Sequence, residues 1–219
     1  MEKFVISADD ASIKYLSQKD KKLAKIINTI GEIECNIHSD PFEFVIGEIV
    51  GQMLSNKVAD VITDRLVNLC GGKITVEAIH GLSIQNLRGI GISKAKSQYI
   101  LNFKDAVECG QIDFDEIKSM PDEKVMKCLM SIHGIGSWTS KMYLIFVLQR
   151  PDVLPYEDGA FLQAYKWLYK PKDMSKDSII QKCKKWHPYS SIAARYLYRA
   201  LDSGMTKQEF SIKRRCDSE

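Results

Sequence analysis

The chain lacks several features that define other classes of protein. No apolar run among its 219 residues reaches membrane-spanning length, and the first residues show no basic-then-apolar signal pattern. The formal net charge is only +3, so any attraction to a polyanion must come from a local patch. The six cysteines include no C-x-x-C pair, which argues against zinc or an iron–sulfur cluster and is typical of a reduced intracellular protein.

The hydrophobic pattern that is present is helical. No segment alternates convincingly as a strand would, whereas apolar residues recur at helical spacing through most of the chain. Residues 40–43 (Asp-Pro-Phe-Glu) combine a capping side chain, a first-turn proline and a glutamate, which predicts a helix start. Further helices are predicted at 160–169, 176–186 and 191–203. We therefore predict an all-α fold.

Residues 129–141 organise the chain. Gly134 and Gly136 bracket an isoleucine, which allows a tight turn with exposed amides. Ser137 then opens a helix whose first N–H groups and dipole favour an anion. This helix is apolar almost all round, and a loop over residues 151–158 follows it and ends at Asp158. A phosphate grip followed by a carboxylate predicts chemistry on a nucleic acid. A second Gly-Ile-Gly at residues 89–91 is predicted to be a turn and not a second DNA grip.

Three segments carry a family resemblance. They are Gly134-Ile135-Gly136-Ser137-Trp138-Thr139 with Pro155 three residues before Asp158; the junction Ile49-Val50-Gly51-Gln52-Met53-Leu54-Ser55-Asn56-Lys57; and Trp186-His187-Pro188-Tyr189-Ser190-Ser191-Ile192-Ala193. In this order the segments resemble the helix-hairpin-helix (HhH-GPD) DNA glycosylases, specifically the 3-methyladenine glycosylase II branch. The resemblance runs from about residue 40 to residue 203.

The resemblance implies a two-lobed helical fold with the active-site cleft between the lobes. Residues 1–39 are then expected to be a helical lead-in packing on the core, without the N-terminal sheet domain of some larger members. Residues 40–205 are the expected glycosylase core, with the hairpin at 129–141 and the catalytic loop at 151–158. Residues 206–219 are the expected tail, solvated and frayed at its basic Lys-Arg-Arg run.

Asp158 is the catalytic candidate that the resemblance implies. A fixed carboxylate there stabilises positive charge on the sugar, or activates water, while an N-glycosidic bond breaks. Taken alone, Asp158 is better explained as a cap for the helix beginning near Ala160, and it is the hairpin upstream that reverses this preference. Glu157 and Asp152 are rival acids, but Pro155 has the family spacing to Asp158. Bifunctional relatives place a nucleophilic lysine at the position of Trp138, so the resemblance implies a monofunctional enzyme without lyase activity.

The implied base pocket contains Trp138, Tyr189 and Met142. Electron-rich rings favour a purine made cationic by alkylation, through stacking and cation–π attraction. Two plainer readings stay open: Trp138 as core filler, and Tyr189 as a helix-start residue packed on Trp186. The arginine that follows this tyrosine in the family is Ser190 here, so its contact with a phosphate or an acid is expected to be lost.

The resemblance also implies how DNA is held. Gln52 and Met53 occupy the junction where the family inserts a wedge into the gap left by a flipped base, although periodicity favours Met53 as core. The groups expected at the DNA backbone are the amides of Gly134, Gly136, Ser137 and Thr139, supplemented by the charge of Lys141. No cofactor is required, but a structural Na⁺ or K⁺ is implied on the backbone carbonyls of Met130, Ile132 and Ile135.

The resulting hypothesis is a monofunctional glycosylase that removes 3-methyladenine or 7-methylguanine from duplex DNA. Its first alternative is a glycosylase of the same fold for uracil, deaminated or mismatched bases, against which the aromatic pocket argues. A non-catalytic DNA-binding module and a helical scaffold unrelated to DNA follow. No membrane partner is expected. The protein is expected to be monomeric and intracellular, in the cytoplasm (nucleoid) of a bacterium or the nucleus of a eukaryote.

Overall fold

The computed structural model describes residues 3–210, so the basic run of the expected tail lies outside the described residues. The chain divides into two compact units. The terminal unit contains Met1–Ile37 and Arg150–Glu219, and the hairpin unit contains His38–Gln149. No helix within residues 3–210 is both long and apolar enough to cross a bilayer.

Thirteen α-helices and two short strands make up the described residues. In chain order they are β1 Lys3–Ile6, α1 Ala11–Lys19, α2 Lys21–Ile30, β2 Ile33–Asn36, α3 Pro41–Gly51, α4 Asn56–Leu69, α5 Val76–His80, α6 Ile84–Gly89, α7 Lys94–Glu108, α8 Phe114–Ser119, α9 Asp122–Met130, α10 Ser137–Phe146, α11 Gly159–Tyr169, α12 Lys176–Cys183 and α13 Ser190–Asp202. Single 3₁₀ turns follow α12 and α13. The predicted all-α fold is confirmed apart from the strands.

The strand pair was not expected from the sequence. β1 and β2 form an antiparallel ribbon in which Lys3 pairs with Asn36 and Ile6 with Ile33. Ile33 and Cys35 are buried while the residues between and after them are exposed, so β2 does alternate. Four residues are too few for that alternation to stand out from a helical background. The lead-in expected over residues 1–39 is therefore part helix and part ribbon.

The terminal unit has its core where α13 packs against α2 and α11. Asp20, only 2% exposed, joins three elements there. Its Oδ1 accepts two amides at the start of α2, while its Oδ2 accepts the indole N–H of Trp186 at 3.0 Å and the hydroxyl of Tyr169. Lys185 lies 2.9 Å from the same oxygen. Burial raises the pKa of Asp20, but these hydrogen bonds outweigh it and lower the pKa below its ordinary 3.8.

The hairpin unit is built on α3, which packs against α4, α7 and α10. The predicted start of α3 is confirmed, since Asp40 Oδ1 accepts the amide of Glu43 at 3.0 Å and Pro41 occupies the first turn. The apolar helix predicted after the hairpin is α10, buried continuously from Thr139 to Ile145. This buried helix supports the hairpin, which directly precedes its N-terminus.

The second Gly-Ile-Gly forms the predicted turn, between α6 and α7. Gly91 has φ +103°, and a Cβ there would approach Ile62 Cδ1 to 2.8 Å, so the fold requires glycine. Ser93 caps α7 by accepting the amide of Lys96 at 3.3 Å. This turn fixes the start of α7 and with it the position from which the Lys96 side chain extends.

Candidate nucleic-acid interface

The predicted hairpin lies between α9 and α10. The amide of Ile132 donates to Leu129 O at 3.2 Å and that of Ile135 donates to Ile132 O at 3.0 Å, which closes the turn. The first i to i−4 bond of α10 runs from Ser140 N to Gly136 O. The N-cap residue of α10 is Gly136, which has no side chain with which to cap this end of the helix. An uncapped helix start favours an anion through its amides and its dipole.

The two hairpin glycines have different physical roles. Gly134 has φ +108°, and a Cβ there would lie 2.1 Å from the Tyr99 ring, so the fold itself requires glycine. Gly136 has an extended backbone that any residue adopts, and no described atom lies within 4 Å of its Cβ position. The protein's own packing therefore leaves Gly136 unconstrained. A missing side chain at this exposed position matters only to a molecule that approaches from outside.

Residues of α7 and of the turn after α3 fix the hairpin in place. Gln52 Nε2 donates to Gly134 O at 3.1 Å, and Asn102 Nδ2 donates to His133 O at 3.3 Å. The His133 ring packs edge-on against Tyr99, with 5.0 Å between centroids. The structure thus brings one wedge candidate, Gln52, directly to the predicted phosphate grip.

Met53, the other wedge candidate, is at the tip of a type II turn. Gln52 has φ −47° and ψ 127°, Met53 has φ +58°, and Leu54 N donates to Gly51 O at 3.0 Å. The Met53 side chain is 102% exposed, so the core interpretation of this residue is wrong. Helical periodicity fails because α3 ends at Gly51 and the turn redirects the chain. A fully exposed methionine in a conformation that favours glycine is unusual on both counts.

The remaining candidates of the hairpin unit lie along α10. Trp138 is half-buried, so it is not simple core filler, while Met142 is buried one turn later. Thr139 is buried as well. Lys141 is only 7% exposed, which contradicts its expected charge contact with DNA. The physical reason is that α10 is buried continuously over this stretch, so little of the Lys141 side chain reaches solvent.

Asp158 is in the terminal unit and does cap a helix. It is the N-cap of α11, its Oδ1 accepts the amide of Phe161 at 2.7 Å, and it is 9% exposed. Its own amide donates to Pro155 O at 3.0 Å, which fixes the loop on the other side. The capping interpretation is therefore confirmed. A cap also holds the carboxylate in one orientation at the positive end of a helix dipole, where negative charge is favoured.

Asp152, one of the rival acids, has a structural role. Its Oδ1 accepts the amide of Ser190 at 3.1 Å and the Ser190 hydroxyl at 2.6 Å, and its Oδ2 pairs with His187 Nδ1. Burial raises the pKa of Asp152, but the bonds from Ser190 and His187 outweigh burial and lower it. Serine, which stands at position 190 in place of the family's arginine, therefore makes an acid contact of its own.

The loop carrying Asp158 is joined to the start of α13. Ser191 N donates to Pro151 O at 2.9 Å, and Val153 N donates to Ser191 Oγ at 2.9 Å. Tyr189 is the N-cap of α13, half-buried, with its ring edge-on to Tyr15 at 5.5 Å between centroids.

Tyr189 begins α13, as the plainer interpretation expects, and contacts Trp186 through its backbone. Its amide donates to Trp186 O at 2.7 Å, whereas the Trp186 ring is fully buried against Phe161. Sequence reasoning missed Tyr15 as the support of the Tyr189 ring, because no pattern links residues so far apart in the chain.

Each unit thus contributes distinct chemistry. The hairpin unit offers amides for a phosphate, an exposed apolar side chain and the half-buried ring of Trp138; the terminal unit offers a fixed carboxylate and the ring of Tyr189. Within residues 3–210 no three His, Cys, Asp or Glu side chains group as metal ligands. The hairpin carbonyls are a different donor set. Ile132 O, which accepts one amide, retains a second lone pair suited to a monovalent cation.

Comparison with known proteins gives consistent matches. The family described as "HhH-GPD superfamily base excision DNA repair protein" matches residues 46–188. A putative DNA-3-methyladenine glycosylase of Bacillus subtilis is 32% identical over 70% of this chain. The chain spans 56% of the length of that relative.

Two solved structures extend the likeness to almost the whole chain. A DNA-3-methyladenine glycosidase from Bacillus halodurans is 33% identical, with a TM-score of 0.81 over 95% of this chain and 96% of that one. The 3-methyladenine DNA glycosylase Mag1 of Schizosaccharomyces pombe, solved in complex with abasic DNA, is 27% identical. Its TM-score is 0.82 over 88% of this chain and 97% of that one.

Proposed function

Because this chain belongs to the HhH-GPD superfamily of base excision DNA repair proteins, we propose that it is a monofunctional DNA glycosylase for alkylated purines. The observation that carries the proposal is Asp158, a carboxylate fixed as a helix cap downstream of an uncapped hairpin helix. The names of the relatives support 3-methyladenine as a substrate, and 7-methylguanine belongs to the same proposed class of cationic alkylpurines.

The reaction needs one fixed negative charge. The bond between the sugar C1′ and the alkylated purine breaks, its electron pair leaves with the cationic base, and positive charge develops on the sugar. The Asp158 carboxylate stabilises that charge and orients the water, whose oxygen bonds to C1′ while one of its protons passes to the carboxylate and then to solvent. The products are a free base and an abasic site. Mag1 was solved in complex with abasic DNA, which supports this product.

The side chains proposed to recognise the flipped base are Trp138, Tyr189 and Met142. Aromatic faces attract a cationic purine more than a neutral one, and alkylation also weakens the bond to be broken. The edge contact with Tyr15 restrains the Tyr189 ring. Since Trp138 has no amine, a Schiff base at this position is excluded and the strand remains intact.

Duplex DNA is the proposed partner of a monomeric enzyme, which acts where chromosomal DNA is kept. The amides of Gly134, Gly136, Ser137 and Thr139 bind a backbone phosphate, and Met53 fills the gap left by the base. The carbonyls of Met130, Ile132 and Ile135 would hold a Na⁺ or K⁺ ion, which would strengthen the phosphate grip. The chemistry itself requires no cofactor.

The decisive experiment is release of free base from methylated duplex DNA by the wild type and by Asp158→Asn. Asparagine caps a helix about as well as aspartate, so this variant removes the charge while keeping the bond to Phe161 N. Glu157→Gln, which neutralises the adjacent exposed acid, is the matched control. We expect release by wild type and Glu157→Gln but not by Asp158→Asn, with strand breaks appearing only after alkali.

Other outcomes have distinct meanings. Release by Asp158→Asn at the wild-type rate would overturn the proposed role of the carboxylate. Uracil released from DNA in place of methylated purines would assign the enzyme to deaminated bases. Binding without release of either base would leave a non-catalytic DNA-binding module.

A further inference from the structure

The turn that presents Met53 is held by a lysine from another helix. Lys96 leaves the first turn of α7, and its Nζ donates to Val50 O at 2.8 Å and to Gln52 O at 2.6 Å. The side chain is half-buried, and this burial lowers the pKa of its ammonium. Two short hydrogen bonds from one half-buried ammonium to the same turn fix the position of that turn.

The turn leaves carbonyls that need such a donor. In a continuing helix the amide of Leu54 would bond to Val50 O, but here it donates to Gly51 O to close the turn. Lys96 supplies the missing donor to Val50 O. A cation at the C-terminal end of α3 is also favoured by the helix dipole. The ammonium therefore compensates for ending the helix at this residue.

The same contacts act on the backbone of Met53. Its φ of +58° is disfavoured for any residue with a Cβ, and its exposed side chain has no packing to keep it there. Lys96 binds the carbonyl of the preceding residue, Gln52, which forms the peptide bond to Met53. Gln52 Nε2 in turn binds Gly134 O on the hairpin. The turn is thus tied both to α7 and to the phosphate grip.

We propose that Lys96 is a positioning residue. It holds the turn in the conformation that presents the exposed Met53 side chain for insertion into the gap left by the flipped base. The inference rests on the proposed function and deepens it. Through Gln52, the position of Met53 is set relative to the hairpin that grips the DNA backbone. Lys96 acts on base extrusion and has no part in bond cleavage.

The test compares a paired lesion with one that is already extruded. Lys96→Met keeps the length of the side chain and removes its donors; Lys94→Met, an exposed lysine in the same helical turn, makes the matched charge change. Base release is measured from a normal duplex and from a duplex in which the lesion is bulged. We expect Lys96→Met to lose on the order of tenfold on the paired lesion and little on the bulged one, since only the first must be unstacked. Lys94→Met should change base release from the paired and the bulged lesion by the same factor.

A double-mutant cycle identifies the route of the effect. If Lys96 acts through Met53, adding Lys96→Met to Met53→Ala causes no further loss on the paired lesion. If Lys96→Met melts far below the wild type, both arms are run at a temperature at which it is fully folded, and Lys96→Arg, which keeps the positive charge and its donors, should restore release from the paired lesion. Equal losses on both substrates, additive losses in the cycle, or no loss at all would each overturn the inference. No release by the wild type from either substrate would instead refute the proposed function, and this inference with it.

Discussion

Replacing Met53 by glycine separates the stability of the turn from its use. Met53 is fully exposed, so the substitution loses no buried area. Relief of the positive φ favours the variant by about 1–2 kcal/mol, and the greater chain entropy of unfolded glycine offsets about 0.5–1 kcal/mol of that. The net gain of about 0.5–1 kcal/mol corresponds to a Tm rise of roughly 1–4 °C for a chain of this size.

Base release should move in the opposite direction. A methionine buried between bases contributes about 1.5–3 kcal/mol, so its loss should lower kcat/KM on paired lesions on the order of 10- to 100-fold. Met53→Ala is the control, because it removes the same side chain while keeping the disfavoured φ, and its Tm should remain near that of the wild type. The assays are thermal melting and base release under single-turnover conditions. A lower Tm for glycine than for alanine would refute the strain argument, and undiminished release by both would refute the wedge.

Three further predictions follow from described contacts. Gly136→Ala should leave Tm unchanged, because nothing lies near its Cβ, but should weaken binding to undamaged duplex in a salt titration. Gly134→Ala should lower Tm and DNA binding together, since its Cβ overlaps the Tyr99 ring; equal behaviour of the two variants would contradict the distinction. Asp20→Asn should cost about 2–4 kcal/mol of stability at neutral pH. Because folding lowers the pKa of Asp20, its contribution is complete above 3.8 and is lost as pH falls through the lower folded value, so the Tm difference should vanish in acid melts.

Local patterns predicted much of the fold correctly. The start of α3, the hairpin and the cap at Asp158 each depend on residues within four positions of one another, and each has the predicted geometry. Such short-range arrangements are set by backbone sterics and by side chains that bind nearby amides. The helical fold class was predictable for the same reason, because helical periodicity is also a short-range pattern.

Features that depend on distant residues were not predictable. The ribbon needs Lys3–Ile6 to meet Ile33–Asn36, and each strand is too short to stand out alone. The burial of Lys141 depends on how the unit encloses α10. The support of Tyr189 by Tyr15, 174 residues earlier by their numbering, is visible only when α1 is in place. Partners separated this far leave no periodic trace in one sequence.

The error at Met53 is informative in itself. Periodicity assigned this residue to the core, yet it is fully exposed, in a backbone conformation that favours glycine, on a turn held by the half-buried Lys96. Each of these three properties lowers stability or requires a compensating contact. A glycine at this position would avoid both the exposed apolar side chain and the disfavoured backbone conformation. Where several local preferences are violated together and neighbouring residues compensate, stability does not explain the arrangement. The combination favours a role for this side chain outside the protein, which agrees with insertion into DNA.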